Sequence, residues 1–131
     1  MGREETEIMF DIEIRRTFAA AHRLRGYNGP CRRLHGHNYS VVVTVRTAKL
    51  DDLGLALDFN ILKERLDGIL DGYDHRELNE LDDFKEINPT SENLARTIYR
   101  KLAAEIDGDG IRLHSVRIGE SENSAVTYFE E

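Results

Sequence analysis

The sequence predicts a single α+β domain in which a four-stranded antiparallel sheet is covered on one face by two helices. Two segments in the first half of the 131-residue chain alternate apolar and polar residues, which is typical of half-buried strands. Two later segments repeat apolar residues every three or four positions, as amphipathic helices do. The end of the chain indicates a hairpin. The resulting order, ββααββ, is typical of an α+β domain.

Alternation is strictest between residues 8 and 15. One set there is apolar and the other is mostly polar: Ile8, Phe10, Ile12 and Ile14 against Met9, Asp11, Glu13 and Arg15. Residues 39–47 are rich in β-branched side chains, and we expect them to pair antiparallel with this first strand. Residues 17–37 contain several turn formers, so we expect a long irregular connection between the two strands. Connections of this length inside a compact domain are usually functional.

Two helices are expected in the second half of the chain. Asp58 has the position of an N-cap before an apolar repeat with helical spacing, and that helix should end near Gly72. A short extended piece, residues 55–57, precedes it. Either Thr90 or Ser91 can cap the second helix. The buried stripe of the second helix is expected to consist of Leu94, Ile98, Leu102 and Ile106.

The last two predicted strands form a hairpin. Residues 111–120 and 125–130 are its arms, and residues 121–124 supply the turn. Because both helices cover the same face of the sheet, the other face and the edges need protection by polar side chains or by a partner. We therefore expect a symmetric homo-oligomer.

Length and composition support one domain spanning residues 1–131, with a hydrophobic fraction of 40%. Residues 1–7 are polar and acidic, so we expect a flexible extension without a targeting signal. No apolar run approaches the roughly 18 residues of a membrane span. The net charge of −7 argues against a nucleic-acid partner. The single cysteine excludes an internal disulfide and fits a reducing cytoplasm.

The strongest chemical feature is a pair of histidines, His35 and His37, separated by Gly36. In extended backbone, residues two apart share a face and lie about 6.5–7 Å apart, so the two imidazoles can converge on one ion. His22 is the best candidate for a third ligand. Three neutral imidazoles without an obvious fourth ligand are typical of a catalytic zinc with one open position. Cys31 as a fourth ligand would instead close a structural site, and a histidine pair without metal is a further alternative.

Asp74 and His75 form the next candidate group, directly after the first predicted helix. An aspartate beside a histidine can simply cap or hydrogen-bond a turn. Alternatively, a histidine ring oriented by a carboxylate can relay protons near neutral pH. Both interpretations are open from the residues alone.

Five motifs occur in order along nearly the whole chain, and together they are specific. These are Phe18-x-Ala20-Ala21-His22, Cys31-x-x-x-His35-Gly36-His37, Asp74-His75-x-x-Leu78-Asn79, Pro89-Thr90-Ser91-Glu92-Asn93 and a late Glu120. The combination resembles the family of 6-pyruvoyl-tetrahydropterin synthases and 6-carboxytetrahydropterin synthases. This resemblance implies the tunnelling fold, in which three subunits join their sheets into a barrel and two trimers stack into a hexamer. It also implies active sites between subunits.

The resemblance implies a role for nine residues. They are the Zn²⁺ ligands His22, His35 and His37, the catalytic base Cys31, its proton-relay partners Asp74 and His75, the pterin-anchoring carboxylate Glu120, and Thr90 and Ser91 beside the pterin of a neighbouring subunit. The implied substrate is 7,8-dihydroneopterin triphosphate, and no redox cofactor is needed. Four arginines are further candidates for contacting the triphosphate, although surface arginines are usually only solvated: Arg23, Arg25, Arg32 and Arg33.

Three features favour the carboxy branch of the family. Three residues separate Cys31 from His35, Asp58 is followed by Phe59, and residues 89–92 read Pro-Thr-Ser-Glu. That branch would be a lyase that releases acetaldehyde and makes 6-carboxytetrahydropterin for the queuosine-type modified base of tRNA. The alternatives are a pyruvoyl product without acetaldehyde, and a zinc-binding module without catalytic activity.

Overall fold

The computed structural model describes residues 9–108 and 110–131. Its strands and helices, in chain order, are β1 (Phe10–His22), β2 (His35–Thr47), α1 (Phe59–Leu70), β3 (Arg76–Glu77), α2 (Ser91–Ile106), β4 (Ile111–Ser121) and β5 (Ser124–Tyr128). Single 3-10 turns lie at Pro30–Arg32, Leu78–Glu80 and Asp82–Phe84. The extension predicted for residues 1–7 lies outside the described residues. Within the described ranges, neither helix has the length and apolar character needed to cross a membrane.

The five strands form one sheet in the order β3-β1-β2-β4-β5. Three of the four strand pairs are antiparallel, and β3 runs parallel to β1. The predicted α+β class and the two helices are confirmed. The predicted four-stranded antiparallel sheet and the order ββααββ are wrong, because the observed order is ββαβαββ with five strands. Strand β3 escaped prediction because two residues cannot display an alternating pattern.

The irregular connection predicted for residues 17–37 is much shorter in the structure. Strands β1 and β2 pair without interruption from Phe10 opposite Thr47 to His22 opposite His35. Pairing with a neighbouring strand overrides the weak strand preference of the alanines that precede His22. Between β1 and β2, the connection consists of residues 23–34 alone. Residues 55–57, predicted to be extended, do not form a strand among the described residues.

The hydrophobic core lies between one face of the sheet and the two helices. Strand β2 contributes a fully buried row of Tyr39, Val41, Val43 and Val45. The helices contribute Leu62, Leu66 and Leu70 from α1, and Leu94, Ile98 and Leu102 from α2. Each fully buried side chain of this kind stabilises the fold by about 1.5–3 kcal/mol.

Both helix caps form as predicted. The Asp58 carboxylate accepts a hydrogen bond from the backbone N–H of Asn60 at 2.8 Å. Thr90 caps α2, and its hydroxyl oxygen accepts from the N–H of Asn93 at 3.0 Å. Caps of this type contribute about 1 kcal/mol each. Because Thr90 takes the capping role, the hydroxyl of Ser91 is available for another partner.

Candidate active site and metal centre

Four side chains converge at the edge of the sheet where β1 ends and β2 begins. His22, His35, His37 and Glu120 each offer one ligand atom, and these atoms all lie within 4.8 Å of one another. The strand register sets His22 opposite His35, and alternation along β2 brings His37 to the same face. Glu120 comes from the far end of β4. The structure therefore brings together the three predicted metal ligands and the predicted pterin anchor.

Backbone carbonyls fix the orientation of two of the rings. His22 Nδ1 donates to the carbonyl of Pro89 at 2.7 Å, and His35 Nδ1 donates to the carbonyl of Arg33 at 2.7 Å. Because a carbonyl oxygen only accepts, each neutral ring carries its proton on Nδ1 and a lone pair on Nε2. The two Nε2 atoms lie 3.1 Å apart. This outer-shell arrangement is the one that orients metal-binding histidines in proteins.

His37 completes the group together with Glu120. Its Nε2 atom lies 2.8 Å from Glu120 Oε1, yet this buried nitrogen has no partner with hydrogen-bond geometry among the described residues. The same carboxylate oxygen is 3.7 Å from His22 Nε2. Three imidazole nitrogens and one carboxylate oxygen form a donor set that suits zinc. The residues present therefore fit a divalent metal ion.

Burial favours the neutral form of His22, the most buried member of the four-residue group. His22 is 2% exposed, and burial is the main reason that its pKa lies below the usual value, with neighbouring His35 and His37 acting in the same direction. Tyr39 lies behind it, with its hydroxyl 3.2 Å from His22 Nδ1. Burial also raises the pKa of Tyr39. A neutral imidazole is the form of histidine that binds metal.

Ser91 binds the Glu120 carboxylate through the oxygen that does not face His37. Its hydroxyl donates to Glu120 Oε2 at 2.9 Å, while Glu120 Oε1 faces His37. Ser91 is buried at the first turn of α2, directly after the residue that caps the helix. The helix start therefore fixes the orientation of Glu120.

Asp74 and His75 are attached to β1 three residues before it ends. Asp74 Oδ1 accepts from the N–H of Ala19 at 2.9 Å, and this bond is the main cause that lowers the pKa of Asp74. The same oxygen lies 3.0 Å from His75 Nδ1, and the N–H of His75 donates to the carbonyl of Ala19 at 2.6 Å. Asp74 thus both bonds the turn and orients the histidine ring.

The backbone of His75 has a φ of +60°, in the left-handed region. A non-glycine residue held there costs of order 1 kcal/mol or more, so the surrounding contacts must enforce it. The ring that this turn presents is 82% exposed. It lines a cavity of 480 Å³ together with His37 and the small residues Ala19, Ala21 and Gly36. The predicted relay residue therefore lines a cavity that also borders β2 at His37, whose imidazole itself faces His22 and Glu120.

Comparison with known proteins identifies this arrangement. A family model described as 6-pyruvoyl tetrahydropterin synthase matches residues 11–131. The chain belongs to that family. This membership confirms the resemblance that the five motifs indicate, and the chain is a pterin synthase enzyme.

Relatives from both branches of the family resemble the chain. It is 40% identical over 119 residues to the 6-carboxy-5,6,7,8-tetrahydropterin synthase of Synechocystis sp., covering 86% of this chain and 88% of that protein. It is 38% identical over 103 residues to the enzyme of the same name from Bacillus subtilis, covering 75% and 68%. The solved structure of Caenorhabditis elegans 6-pyruvoyl tetrahydropterin synthase superposes with a TM-score of 0.84 and 31% identity, covering 94% of this chain and 96% of that one.

Cys31, the predicted catalytic base of this pterin synthase, lies outside the four-residue group. It lies partly buried in the 3-10 turn Pro30–Arg32, and its carbonyl accepts from the N–H of Leu24 at 2.8 Å. Among the described residues, the fourth atom beside the three histidines belongs to Glu120 and not to Cys31. The closed site of Cys31 with three histidines is therefore not formed in this subunit.

Two asparagines, neither of them a predicted site residue, hold the segment after His22. Asn79 accepts from the N–H of Arg23 at 2.9 Å and donates to its carbonyl at 3.0 Å. Asn88 makes the same pair of bonds with Arg25, each at 2.9 Å. Each amide thereby takes the place of a neighbouring strand. Asn79 belongs to the motif that ends in Leu78-Asn79, but the sequence alone does not show which backbone groups its amide binds.

The guanidinium of Arg25 is fully engaged within the fold. It donates to the carbonyls of Phe84 at 2.6 Å, Ile87 at 2.7 Å and Lys85 at 3.2 Å. These bonds fix the loop that leads to Pro89, whose carbonyl orients His22. Of the four arginines considered for the triphosphate, Arg25 therefore has a structural role.

Proposed function

We propose that the chain converts 7,8-dihydroneopterin triphosphate and water to 6-carboxy-5,6,7,8-tetrahydropterin, acetaldehyde and triphosphate. The observation that carries the proposal is the convergence of three imidazoles and Glu120 on one point. Two relatives at 38–40% identity bear the name of the enzyme for this product, which favours it over the pyruvoyl product.

His22, His35 and His37 would hold Zn²⁺ through their Nε2 atoms. When bound, the metal would supply a Lewis acid that polarises the hydroxyls of the substrate side chain and acidifies the adjoining C–H bonds. Glu120 would accept the adjacent N–H donors of the pterin ring, a pairing for which a carboxylate is suited. Ser91 would keep the carboxylate turned toward the site, since its hydroxyl already holds Oε2 at 2.9 Å. Thr90 would lie beside the pterin as the helix cap.

Cys31 would act as the base that removes a proton from the side-chain carbon next to the ring. His75, whose ring is exposed and oriented by Asp74, would take up and return protons during tautomerisation. Loss of triphosphate, addition of water and cleavage of one carbon–carbon bond then give the carboxylate and acetaldehyde. The reaction is redox neutral overall, so no electron-carrying cofactor is required.

The second candidate is the pyruvoyl product, with elimination of triphosphate and no carbon–carbon cleavage. The observation in its favour is the close superposition on the C. elegans enzyme of that name. The same residues would serve, because both reactions begin with the same proton abstraction.

A product analysis tests the proposal. The zinc-loaded protein is incubated with 7,8-dihydroneopterin triphosphate, the pterin is identified by mass, and acetaldehyde is assayed in the same sample. A carboxy-pterin with one acetaldehyde per turnover supports the proposal. A pyruvoyl-pterin without acetaldehyde would assign the chain to the other branch, and no product would refute both.

We further propose the cellular setting that the family resemblance implies. The enzyme would act in the cytoplasm as a homohexamer of two stacked trimers, in an early step of queuosine-type deazapurine biosynthesis. Cys31 would then reach the substrate in the assembled enzyme and not within one isolated subunit. Light scattering after size-exclusion chromatography measures the subunit number directly, and a stable monomer with full activity would contradict this assembly.

A further inference from the structure

The side chain of Asn79 continues the pairing between β3 and β1 beyond the point where the backbone of β3 leaves the sheet. The last backbone pair is Ala21 opposite Glu77, after which the chain enters a single 3-10 turn. Asn79 lies two residues after Glu77, and its amide bonds Arg23, which lies two residues after Ala21. It accepts from the N–H of Arg23 at 2.9 Å and donates to its carbonyl at 3.0 Å. The amide therefore takes the place of a further residue of β3.

Residues 23–25 bond in two directions, as a strand does. The amides of Asn79 and Asn88 bind the backbone groups of Arg23 and Arg25. Leu24, between them, donates its N–H to the carbonyl of Cys31 at 2.8 Å. In extended backbone the polar groups of successive residues point alternately to the two sides, so Cys31 is bonded on the side away from the asparagines. Residues 23–25 therefore connect the two amides to the backbone of Cys31.

The turn that contains Cys31 has little packing of its own. None of the three residues of Pro30–Arg32 is buried. A local bond closes the turn, from the N–H of Arg33 to the carbonyl of Pro30 at 3.0 Å. The bond from Leu24 connects the turn to the end of β1. The position of Cys31 therefore depends on how firmly residues 23–25 are held.

Of the two asparagines, Asn79 is the better shielded from water. It is 8% exposed, whereas the bonds of Asn88 to Arg25 are exposed. Water replaces an exposed bond at little cost, but a shielded backbone group that loses its partner is costly to leave unsatisfied. Loss of the Asn79 amide should therefore disturb residues 23–25 more than loss of the Asn88 amide.

We infer that Asn79 is a positioning residue for Cys31 and acts through the backbone of Arg23 and Leu24. Without the amide, residues 23–25 are released and the turn that bonds to Leu24 shifts relative to the metal ligands. A displacement of about 1 Å in a reacting group can lower a rate about a hundredfold. This inference rests on the proposed function, because it takes Cys31 to be the base that removes the proton.

Alkylation of Cys31 and steady-state kinetics on the zinc-loaded protein test the inference. Cys31 is the single cysteine of the chain, so the rate constant for iodoacetamide reports on this residue alone. The variants are Asn79→Ala, which removes the amide, and Asn79→Asp, which keeps the volume and the acceptor but removes the donor. Asn60→Ala is the matched control, because Asn60 is exposed at the first turn of α1. Circular dichroism and zinc analysis check that each variant is folded and loaded.

Both variants of Asn79 should lower kcat at least about tenfold and change KM little, because the base is displaced while the binding groups stay in place. The rate constant for alkylation should rise, since the thiol is only partly exposed in the wild type and a released turn exposes it further. Zinc content should remain near that of the wild type, because the carbonyl of Pro89 orients His22. Asn60→Ala should behave like the wild type in all three measurements.

A purely structural role of Asn79 gives a different result. The variants would then have a lower Tm, but well below that temperature their kcat and alkylation rate would equal those of the wild type. This outcome would overturn the inference, and so would a fall in kcat that follows a loss of zinc.

The product analysis separates this result from failure of the proposed function. A chain that forms a pterin product while both Asn79 variants keep the wild-type kcat and alkylation rate refutes only the role of Asn79. A chain that forms no product refutes the proposed function and with it the catalytic part of the inference. The alkylation rates then still decide whether Asn79 holds the turn that contains Cys31.

Discussion

His22 and His35 face each other across the β1–β2 pair with their Nε2 atoms 3.1 Å apart. Each ring has its other nitrogen bonded to a backbone carbonyl, so two lone pairs point at one another. Such an arrangement is repulsive unless a cation lies between the nitrogens. The backbone therefore orients both imidazoles toward one point that suits a metal ion.

Substitution of His37 should abolish metal binding without unfolding the chain. His37→Ala removes one imidazole from the group, and its side chain is only partly buried, so the core is undisturbed. Zinc content measured by elemental analysis should fall from about one ion per chain to near zero. His114→Ala, on the same sheet but outside the group, serves as the control and should keep its zinc. A His37→Ala protein that retains stoichiometric zinc would contradict the assignment.

Substitutions at the neighbouring residues Ser91 and Thr90 should have different effects, one on substrate binding and the other on stability. Ser91→Ala removes the bond to Glu120, so KM should rise about tenfold while zinc content and stability change little. Thr90→Ala removes the helix cap and should lower the free energy of unfolding by about 1 kcal/mol. Denaturant unfolding and steady-state kinetics on both variants measure the two effects. The interpretation fails if Ser91→Ala loses stability and keeps its KM.

Asp74 should make stability depend on pH in the acid range. Its pKa is lowered in the folded state, chiefly by the N–H of Ala19, from the ordinary value of 3.8. A lowered pKa stabilises the fold fully above that ordinary value, and the contribution is lost as the pH falls through the folded-state pKa. Asp74→Asn should therefore lower Tm at pH 7 and lose this difference in strong acid. Asp52→Asn, in an exposed loop, is the control. A difference in Tm that persists unchanged at low pH would rule out this role of the carboxylate.

Arg25 should matter for stability and for the metal site through the loop before Pro89. Arg25→Ala removes the bonds to three carbonyls, and we expect a loss of about 2–3 kcal/mol in the free energy of unfolding. Zinc affinity should fall as well, because the Pro89 carbonyl orients His22. Arg25→Lys should rescue little, since one ammonium cannot reach three divergent acceptors. Arg23→Ala should be nearly neutral, because its bonds to Asn79 come from the backbone and not from the side chain. Equal losses in both variants would argue against a role of Arg25 in holding the loop before Pro89.

The residue chemistry of the site was more predictable than its backbone. The spacing of His35 and His37 indicates a shared strand face, and the structure has both residues on β2. The far end of β1 was not predictable, because its alanines gain their strand conformation from pairing with β2. Helix caps at Asp58 and Thr90 were predictable because their chemistry is local.

Contacts between distant parts of the chain could not be predicted from the sequence. The approach of Glu120 to His37 joins residues from β4 and β2, and only the sheet register brings them within 2.8 Å. The carbonyl of Pro89 fixes the orientation of the His22 ring, but a backbone group cannot be recognised from the pattern of side chains.

The most direct test of the metal centre is X-ray absorption spectroscopy at the zinc edge of the loaded protein. The structure predicts scattering from three imidazole rings and an oxygen or nitrogen, with no sulfur neighbour, because Cys31 lies outside the group. The same spectrum should be obtained from Cys31→Ala. A zinc–sulfur contribution that disappears in Cys31→Ala would contradict the account, because the zinc would then be closed by Cys31 and have no open position for a substrate.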